Sequence, residues 1–195
     1  ADFSYLLVEK LLSYLNPAQR NILETLSIYR GWTLGEQLKA HSLDIKPGDR
    51  KKLQKLSLID YLPRKDVYQV TRLVAQITFN GIEEAERKQK HRCAAKYYES
   101  RIPGGEPAKK EDIATAIYDE NALKARWHYI EAGEIEKAAT MTFEMDNYFC
   151  RIGFPQFAFD LLHEMEKYAP EITEDHQIHL RLRLLGHRDA LFQRL

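Results

Sequence analysis

The chain has few cysteines and no net charge, and both shortages exclude classes of protein. Only two of its 195 residues are cysteines, Cys93 and Cys150, and they lie far apart within stretches of helical spacing. That count excludes a disulfide framework and suits a reducing compartment, so we predict a cytoplasmic protein. Lys plus Arg and Asp plus Glu both number 29. A formal charge of zero argues against a surface built throughout for nucleic acid or an anionic membrane.

Long apolar runs are missing as well. No stretch approaches the roughly 18 apolar residues that a membrane span needs, so we expect no membrane partner. The opening stretch, ADFSYLLVEKLLSYLN, has acidic residues among its apolar ones and no basic leader, which indicates an amphipathic helix rather than a signal peptide. The chain lacks an initiator Met and stops in a helix-like stretch, RDALFQRL, so we expect a piece of a larger protein.

The familiar signatures of catalysis do not occur. The chain contains no GxxxxGK[ST] phosphate loop, no GxSxG nucleophile and no HExxH zinc motif. His176 and His179 stand three apart beside acidic residues, but without a third placed ligand they indicate a solvated helix face. We therefore predict no catalytic residue, no metal site and no cofactor in this chain, and do not expect it to be an enzyme.

What the first 80 residues do contain is helical spacing interrupted by one hairpin. Asn16 and Pro17 are typical of a helix start, and the TLGE stretch at Thr33 predicts a capping box that opens a second short helix. A third helix is predicted from Pro47. The stretches DYL and VYQV then predict two short strands across the turn PRKD. Three short helices followed by a β-hairpin is the arrangement of a winged helix.

The second half is predicted to be helical throughout. The stretch RIPGGEP has two prolines and two glycines in seven residues and indicates a domain boundary. Beyond it, Gly133, Gly153 and Gly186 each precede a small alanine, a pattern that ends one helix and lets the next pack closely. The spacing from Gly153 to Gly186 is close to the repeat length of about 34 residues in tetratricopeptide arrays. The predicted fold is therefore mainly α, a winged-helix domain followed by a tetratricopeptide-like α-solenoid of helical hairpins.

A set of basic residues falls on the predicted third helix and on the hairpin turn. The set comprises Lys46, Arg50, Lys51, Lys52 and Lys55 on the helix, with Arg64 and Lys65 at the turn. In DNA-binding winged helices that helix enters the major groove and the wing touches the backbone. The other interpretation is an exposed helix that carries solvated charges. Duplex DNA is the less favoured partner, because the helix lacks the combination of Asn, Gln and Arg side chains that usually reads bases, and Gln54 alone is a poor reader.

The order of these elements resembles the region that follows the nucleotide-binding core in STAND signalling ATPases, the class that includes NB-ARC-like and NACHT-like proteins. The stretches that carry the resemblance are LSYLNPAQRNILETLSIY, LQKLSLIDYL, YQVTRLVAQ, KHRCAAKYYES and HYIEAGEIEKAA. Together they cover about residues 11 to 160. The resemblance implies five parts: the end of a helical lid (1–15), a winged-helix domain (16–80), a linker helix (81–102), a loop (103–110) and tetratricopeptide-like repeats (111–195).

The resemblance also implies a regulatory function without catalysis. The winged helix would restrain a nucleotide-binding domain upstream in the same chain, where ADP or ATP binds, and the helical arm would bind a signal protein, peptide or small molecule. Many members carry a His-Pro pair where the second wing strand enters the next helix, and that His can touch the bound ADP. Thr71 and Arg72 stand there in this chain, so they are the expected contacts with the nucleotide-bound core. The other interpretation of Thr71 is a helix cap. The arm's expected recognition aromatics are Trp127, Tyr129 and Tyr148, with Phe154 and Phe157 also available.

Overall fold

The computed structural model describes residues 3–29, 31–102 and 113–192, so the predicted loop 103–110 lies outside the described residues. The described part is mainly helical, with one small antiparallel sheet of three strands. The predicted helical fold with a β-hairpin is therefore confirmed. The chain divides into two compact units, residues 1–94 and 95–195. The division falls within a continuous helix, some residues before the stretch RIPGGEP that the sequence indicated.

The first unit combines short helices with the sheet. Its elements are α1 (Phe3–Ser13), α2 (Pro17–Ile28), β1 (Thr33–Leu34), α3 (Gly35–Ala40), α4 (Pro47–Lys55), β2 (Ile59–Leu62), β3 (Val67–Val70), α5 (Arg72–Asn80) and the first part of α6 (Glu84–Glu99). The start of α2 is capped as predicted: the Asn16 side chain accepts a hydrogen bond from the Gln19 backbone N–H at 2.8 Å, and Pro17 is the first helical residue.

The sheet brings together strands that are distant in sequence. Its order is β1-β3-β2, and the hairpin pairs Ile59 with Val70 and Leu62 with Val67. The prediction that Thr33 opens a capping box is wrong, because Thr33 instead pairs with Tyr68 in the sheet. The residue that precedes α3 is Leu34, whose backbone N–H donates to the Gln37 side chain at 2.6 Å.

One apolar core holds the first unit together. Leu23, Leu26, Leu38, Leu53 and Leu58 are almost completely buried in it, so α2, α3, α4 and the hairpin share the same interior. Burying side chains of this size contributes roughly 1.5–3 kcal/mol each.

The first unit also encloses a charged group. Lys90 on α6 is 8% exposed, and its ammonium donates to the Asn21 side chain at 2.5 Å and pairs with Glu86 at 3.0 Å.

The second unit is a series of helices in which consecutive members pack together. They are α7 (Ile113–Glu131), α8 (Ile135–Arg151), α9 (Pro155–Met165), a 3₁₀ helix (Glu166–Glu171) and α10 (Glu174–Phe192). Contacts join α7 to α8, α8 to α9, and α9 to α10. The Gly and Ala pattern is confirmed at its first two occurrences. Gly133 and Gly153 end helices with φ of 73° and 87°, and Ala138 and Ala158 are completely buried.

The third occurrence of the pattern was predicted wrongly. Gly186 does not end a helix, because α10 runs through it to Phe192. A glycine inside a helix costs about 1 kcal/mol relative to alanine, which is not enough to stop a helix that is held by contacts on both sides. Arg183 and His187, which flank Gly186, both contact Asp146 of α8.

Candidate functional site

The predicted basic set is exposed only in part. Lys51, Lys55, Arg64 and Lys65 are exposed on α4 and the hairpin turn, together with Lys46 just before α4. Lys52 is exposed as well, but its ammonium donates to the backbone carbonyl of Tyr14 at 3.2 Å. Arg50 is half-buried. The cations on this surface that make no such contact are therefore fewer than the sequence suggested.

Arg50 belongs to a polar cluster on the hairpin. Its guanidinium lies 4.3 Å from the centre of the Tyr61 ring, and that ring packs on Tyr68 at a centroid distance of 4.6 Å. The Asp66 carboxylate accepts from both tyrosine hydroxyls, at 3.3 and 3.2 Å. Burial raises the pKa of Tyr68 to about 12, and the Asp66 charge adds to that shift. The cluster fixes α4 against the hairpin, which gives Arg50 a structural role.

Thr71 and Arg72 lie where the hairpin enters α5. Thr71 occupies the N-cap position of that helix, but its side chain makes no capping hydrogen bond. The interpretation that the Thr71 side chain caps the helix is therefore wrong. Its backbone N–H donates to the Leu58 carbonyl at 3.4 Å. Arg72 and Leu73 are exposed. The start of α5 is thus accessible in this unit, and the contact of these two residues with a nucleotide-bound core stays a prediction.

Helix α1 carries a large exposed apolar surface. Val8 is buried in the core of the first unit, with Leu11 and Leu12 packed partly against it. On the remainder of the helix Phe3 is 78% exposed, and Leu6 and Leu7 are about half exposed. Tyr14, just beyond its end, is 64% exposed. Contiguous apolar surface of this kind marks interaction sites more often than single exposed residues do.

The predicted recognition aromatics of the arm are mostly interior. Tyr129 and Tyr148 are 0% and 1% exposed, so their side chains pack in the core of the second unit and are not available to a partner. The Tyr129 hydroxyl donates to Glu99 at 2.5 Å, and burial raises the pKa of Tyr129, with Glu99 adding to the shift. Trp127 is half-buried. Phe154 and Phe157 are the exposed members of the predicted group.

The histidine pair on α10 does not converge on one point. His176 pairs through Nδ1 with Glu136 of α8, whereas His179 stacks on Phe143 at a centroid distance of 4.6 Å and accepts from Arg183. The two imidazoles thus have different hydrogen-bonding partners, although both rings pack against Phe143. His176 is half-buried and His179 is exposed, so the predicted solvated face describes His179 alone.

A different group of donors does converge. The Oδ1 atom of Asp146 lies 2.6 Å from Nε2 of His187 and 3.5 Å from Sγ of Cys150, and Sγ lies 3.6 Å from the same Nε2. Sequence reasoning missed this group, because α8 supplies two members and α10 the third. The only local signal is the spacing of four residues between Asp146 and Cys150, which puts them on one face of a helix.

The arrangement is not that of a nucleophilic triad. In a triad the acid holds one imidazole nitrogen while the other faces the nucleophile. Here the same Nε2 of His187 faces both the carboxylate and the thiol. Partial burial raises the pKa of the Cys150 thiol to about 11, and the charge of Asp146 adds to the shift. The thiol is therefore protonated at neutral pH, the reverse of what a nucleophilic cysteine needs.

Comparisons with known proteins add no assignment: no family model, no curated protein and no solved structure matches the chain. Among the described helices, none combines the length and the apolar character that crossing a membrane requires.

Proposed function

We propose that the chain is a non-catalytic regulatory and sensor region of a cytoplasmic STAND-type ATPase. In this proposal the first unit is a winged helix that restrains an upstream nucleotide-binding domain, and the second is a tetratricopeptide-like arm that binds a signal protein, peptide or small molecule. The element order supports the first assignment, since α2, α3 and α4 precede a hairpin whose second strand also pairs with β1. The tetratricopeptide-like assignment of the second unit is supported by its helices, because they pack in sequence order and turn at Gly133 and Gly153.

The observation that carries the proposal is the apolar surface of α1. Phe3, Leu6 and Leu7 are exposed on a helix whose opposite residues are anchored in the core. Such a surface is typical of a contact with another protein domain, and a domain of the same chain is the neighbour that the resemblance implies. The exposed start of α5, at Arg72, would then lie against the nucleotide-bound core. A signal acts on this assembly only if it binds the open state better than the closed state.

The test uses the full native gene product, in which the proposal requires a phosphate-binding loop upstream of this region. Replacing both Thr71 and Arg72 with alanine is expected to accelerate ADP release by about 5–150-fold, the usual range of a coupling free energy of 1–3 kcal/mol. Stopped-flow measurement with a fluorescent ADP analogue gives the rate. Arg64→Ala is the matched control, because that arginine is exposed at the hairpin turn. A native chain without an upstream phosphate loop, or an unchanged release rate in the double variant, overturns the proposal.

Duplex DNA binding is the second candidate, favoured by the exposed cations Lys51, Lys55, Arg64 and Lys65. Four phosphate contacts predict a slope of about −3 to −4 in a plot of log K against log salt. Changing Lys51 and Lys55 to glutamate is expected to abolish the binding, whereas the same change at Lys10 and Lys39, exposed on α1 and α3, leaves it intact. Fluorescence anisotropy with a labelled duplex at several salt concentrations measures the affinity of each variant and the salt dependence of binding. Equal losses in the two double variants reject a specific surface on α4.

A further inference from the structure

We propose that Asp146, Cys150 and His187 form a zinc site that joins α8 to α10 in the second unit. The site was not expected from the sequence and does not depend on the proposed ATPase function. It rests on the convergence of three donor atoms of different chemistry on one point, from residues on two helices.

The geometry of the three atoms fits zinc. Their separations of 2.6, 3.5 and 3.6 Å form a triangle whose circumscribed circle has a radius of about 1.9 Å. An ion slightly above its plane is then about 2.0–2.3 Å from each corner, which matches zinc bonds to carboxylate, imidazole and thiolate. Neighbouring ligands of a tetrahedral zinc are about 3.3–3.6 Å apart. Two of the three separations already have that value, and the third, a hydrogen bond in the metal-free protein, opens when the ion replaces the proton.

The surroundings of Asp146 hold it for such a role. Its side chain is 6% exposed, and its second oxygen, Oδ2, accepts from Arg183, which leaves Oδ1 facing His187 and Cys150. Arg183 is fixed in turn by the carbonyl of Phe143 at 3.1 Å and the side chain of Asn147 at 3.0 Å. Hydrogen bonds of this kind orient metal-ligating carboxylates in known sites. The arginine charge pairs with Oδ2, the oxygen that does not face His187 and Cys150.

The donor set selects the ion. A thiolate with an imidazole and one carboxylate suits zinc, whereas calcium and magnesium require oxygen ligands throughout. Two atoms that face the ion lose a proton: the thiol proton goes to solvent, and the neutral imidazole shifts its proton from Nε2 to Nδ1, so binding releases one proton in all. The thiolate and carboxylate charges then balance the charge of the ion.

Three protein ligands leave a fourth position. The donors line an open cleft of about 580 Å³, together with Asn147, Gly153, Pro155, Arg183 and Gly186. A water molecule, or a donor from a bound partner, reaches the ion from that side. The site therefore clamps α8 to α10 and offers a coordination position at the surface of the second unit.

The test is metal titration of the chelator-treated chain. Zinc is expected to bind in one equivalent by isothermal titration calorimetry, and Co²⁺ to give a thiolate-to-cobalt charge-transfer band. Cys150→Ser and His187→Gln are each expected to weaken binding by more than about a hundredfold, beyond what loss of an outer hydrogen-bond partner costs. The matched controls are Cys93→Ser, the other cysteine, and His163→Gln, an exposed histidine on α9.

The outcomes separate the proposed site from adventitious binding at surface histidines. Absence of a stoichiometric step overturns the proposal, and so does binding that Cys150→Ser leaves intact. Circular dichroism shows whether each metal-free variant is folded. If Cys150→Ser is unfolded, the charge-transfer band decides: its presence in Cys93→Ser supports the site at Cys150, because no other thiol is then available, and its absence overturns it.

Discussion

Glu164→Ala is expected to destabilise the second unit more than Arg126→Met does, although Glu164 is 40% exposed and the Arg126 side chain only 4%. Arg126 lies on α7, and its guanidinium donates to Thr142 at 2.7 Å, to Glu164 at 2.9 Å and to the Leu161 carbonyl at 3.2 Å. Loss of Glu164 leaves that buried cation without its anion. Loss of the cation leaves Thr142 bonded to the Ala138 carbonyl and Glu164 partly in water.

The expected sizes follow from that asymmetry. Removing one partner of a buried pair costs about 3–5 kcal/mol, and water access through Glu164 reduces this to about 2–3 kcal/mol of unfolding free energy. Methionine fills the arginine site without a charge, so Arg126→Met is expected within about 1 kcal/mol of the native chain. Urea unfolding at pH 7, followed by Trp127 fluorescence in a Trp32→Phe background, measures both. Glu144→Ala, on the exposed face of α8, is the control. The opposite ranking would show that the arginine contributes by packing and not by its charge.

The same pair has a pH signature. Partial burial raises the pKa of Glu164, but the hydrogen bond and charge of Arg126 outweigh it and hold the pKa below its ordinary value. A carboxyl group whose pKa is lowered by folding stabilises the folded state at pH values above its ordinary pKa. That stabilisation is lost as the pH falls through the lowered pKa. The difference between the native chain and Glu164→Ala is therefore expected to be constant above about pH 5 and to shrink in more acidic solution.

Local signals in the sequence predicted the elements that depend on local chemistry. Asn16 and Pro17 placed the start of α2, and the alternation around the turn PRKD placed the hairpin, since caps and turns are determined by neighbouring residues. The two-residue strand β1 was missed because Thr33 and Leu34 become a strand only by pairing with β3, more than thirty residues away. The prediction at Gly186 was wrong because a glycine ends a helix only where no tertiary contact stabilises the helix on both sides of it.

The cluster of Asp146, Cys150 and His187 could not be predicted for the same reason, because it depends on tertiary contacts. Cys150 and His187 are 37 residues apart, and no pattern in either helix indicates which face of α8 meets α10. The aromatic residues of the arm show that the exposure of a side chain also depends on tertiary packing. Tyr129 and Phe157 both lie in helical stretches, yet one is completely buried and the other is 39% exposed, a difference set by the packing of α7, α8 and α9.

His41 is expected to make the first unit less stable as the pH falls from neutral. It follows α3, and its Nε2 lies 2.8 Å from the hydroxyl of Tyr29 at the end of α2. Burial lowers the pKa of His41 to about 4, and the positive charge of Lys90 adds to the shift. Between about pH 6.5 and pH 4 the unfolded chain therefore binds a proton that the folded chain does not. Each pH unit in that window costs about 1.4 kcal/mol, up to about 3 kcal/mol in all.

His41→Phe removes the titrating group and is expected to flatten this part of the pH dependence. Urea unfolding of both chains at pH 7, 6, 5 and 4 gives the difference at each pH, which cancels every contribution that the two chains share. Tyr29→Phe is the matched control, since it removes the hydroxyl but keeps the imidazole, and its pH dependence is expected to resemble that of the native chain. The NMR titration of the His41 ring gives its pKa directly. A pKa near 6.5, or a parallel pH dependence in His41→Phe, would place the acid sensitivity of this unit elsewhere.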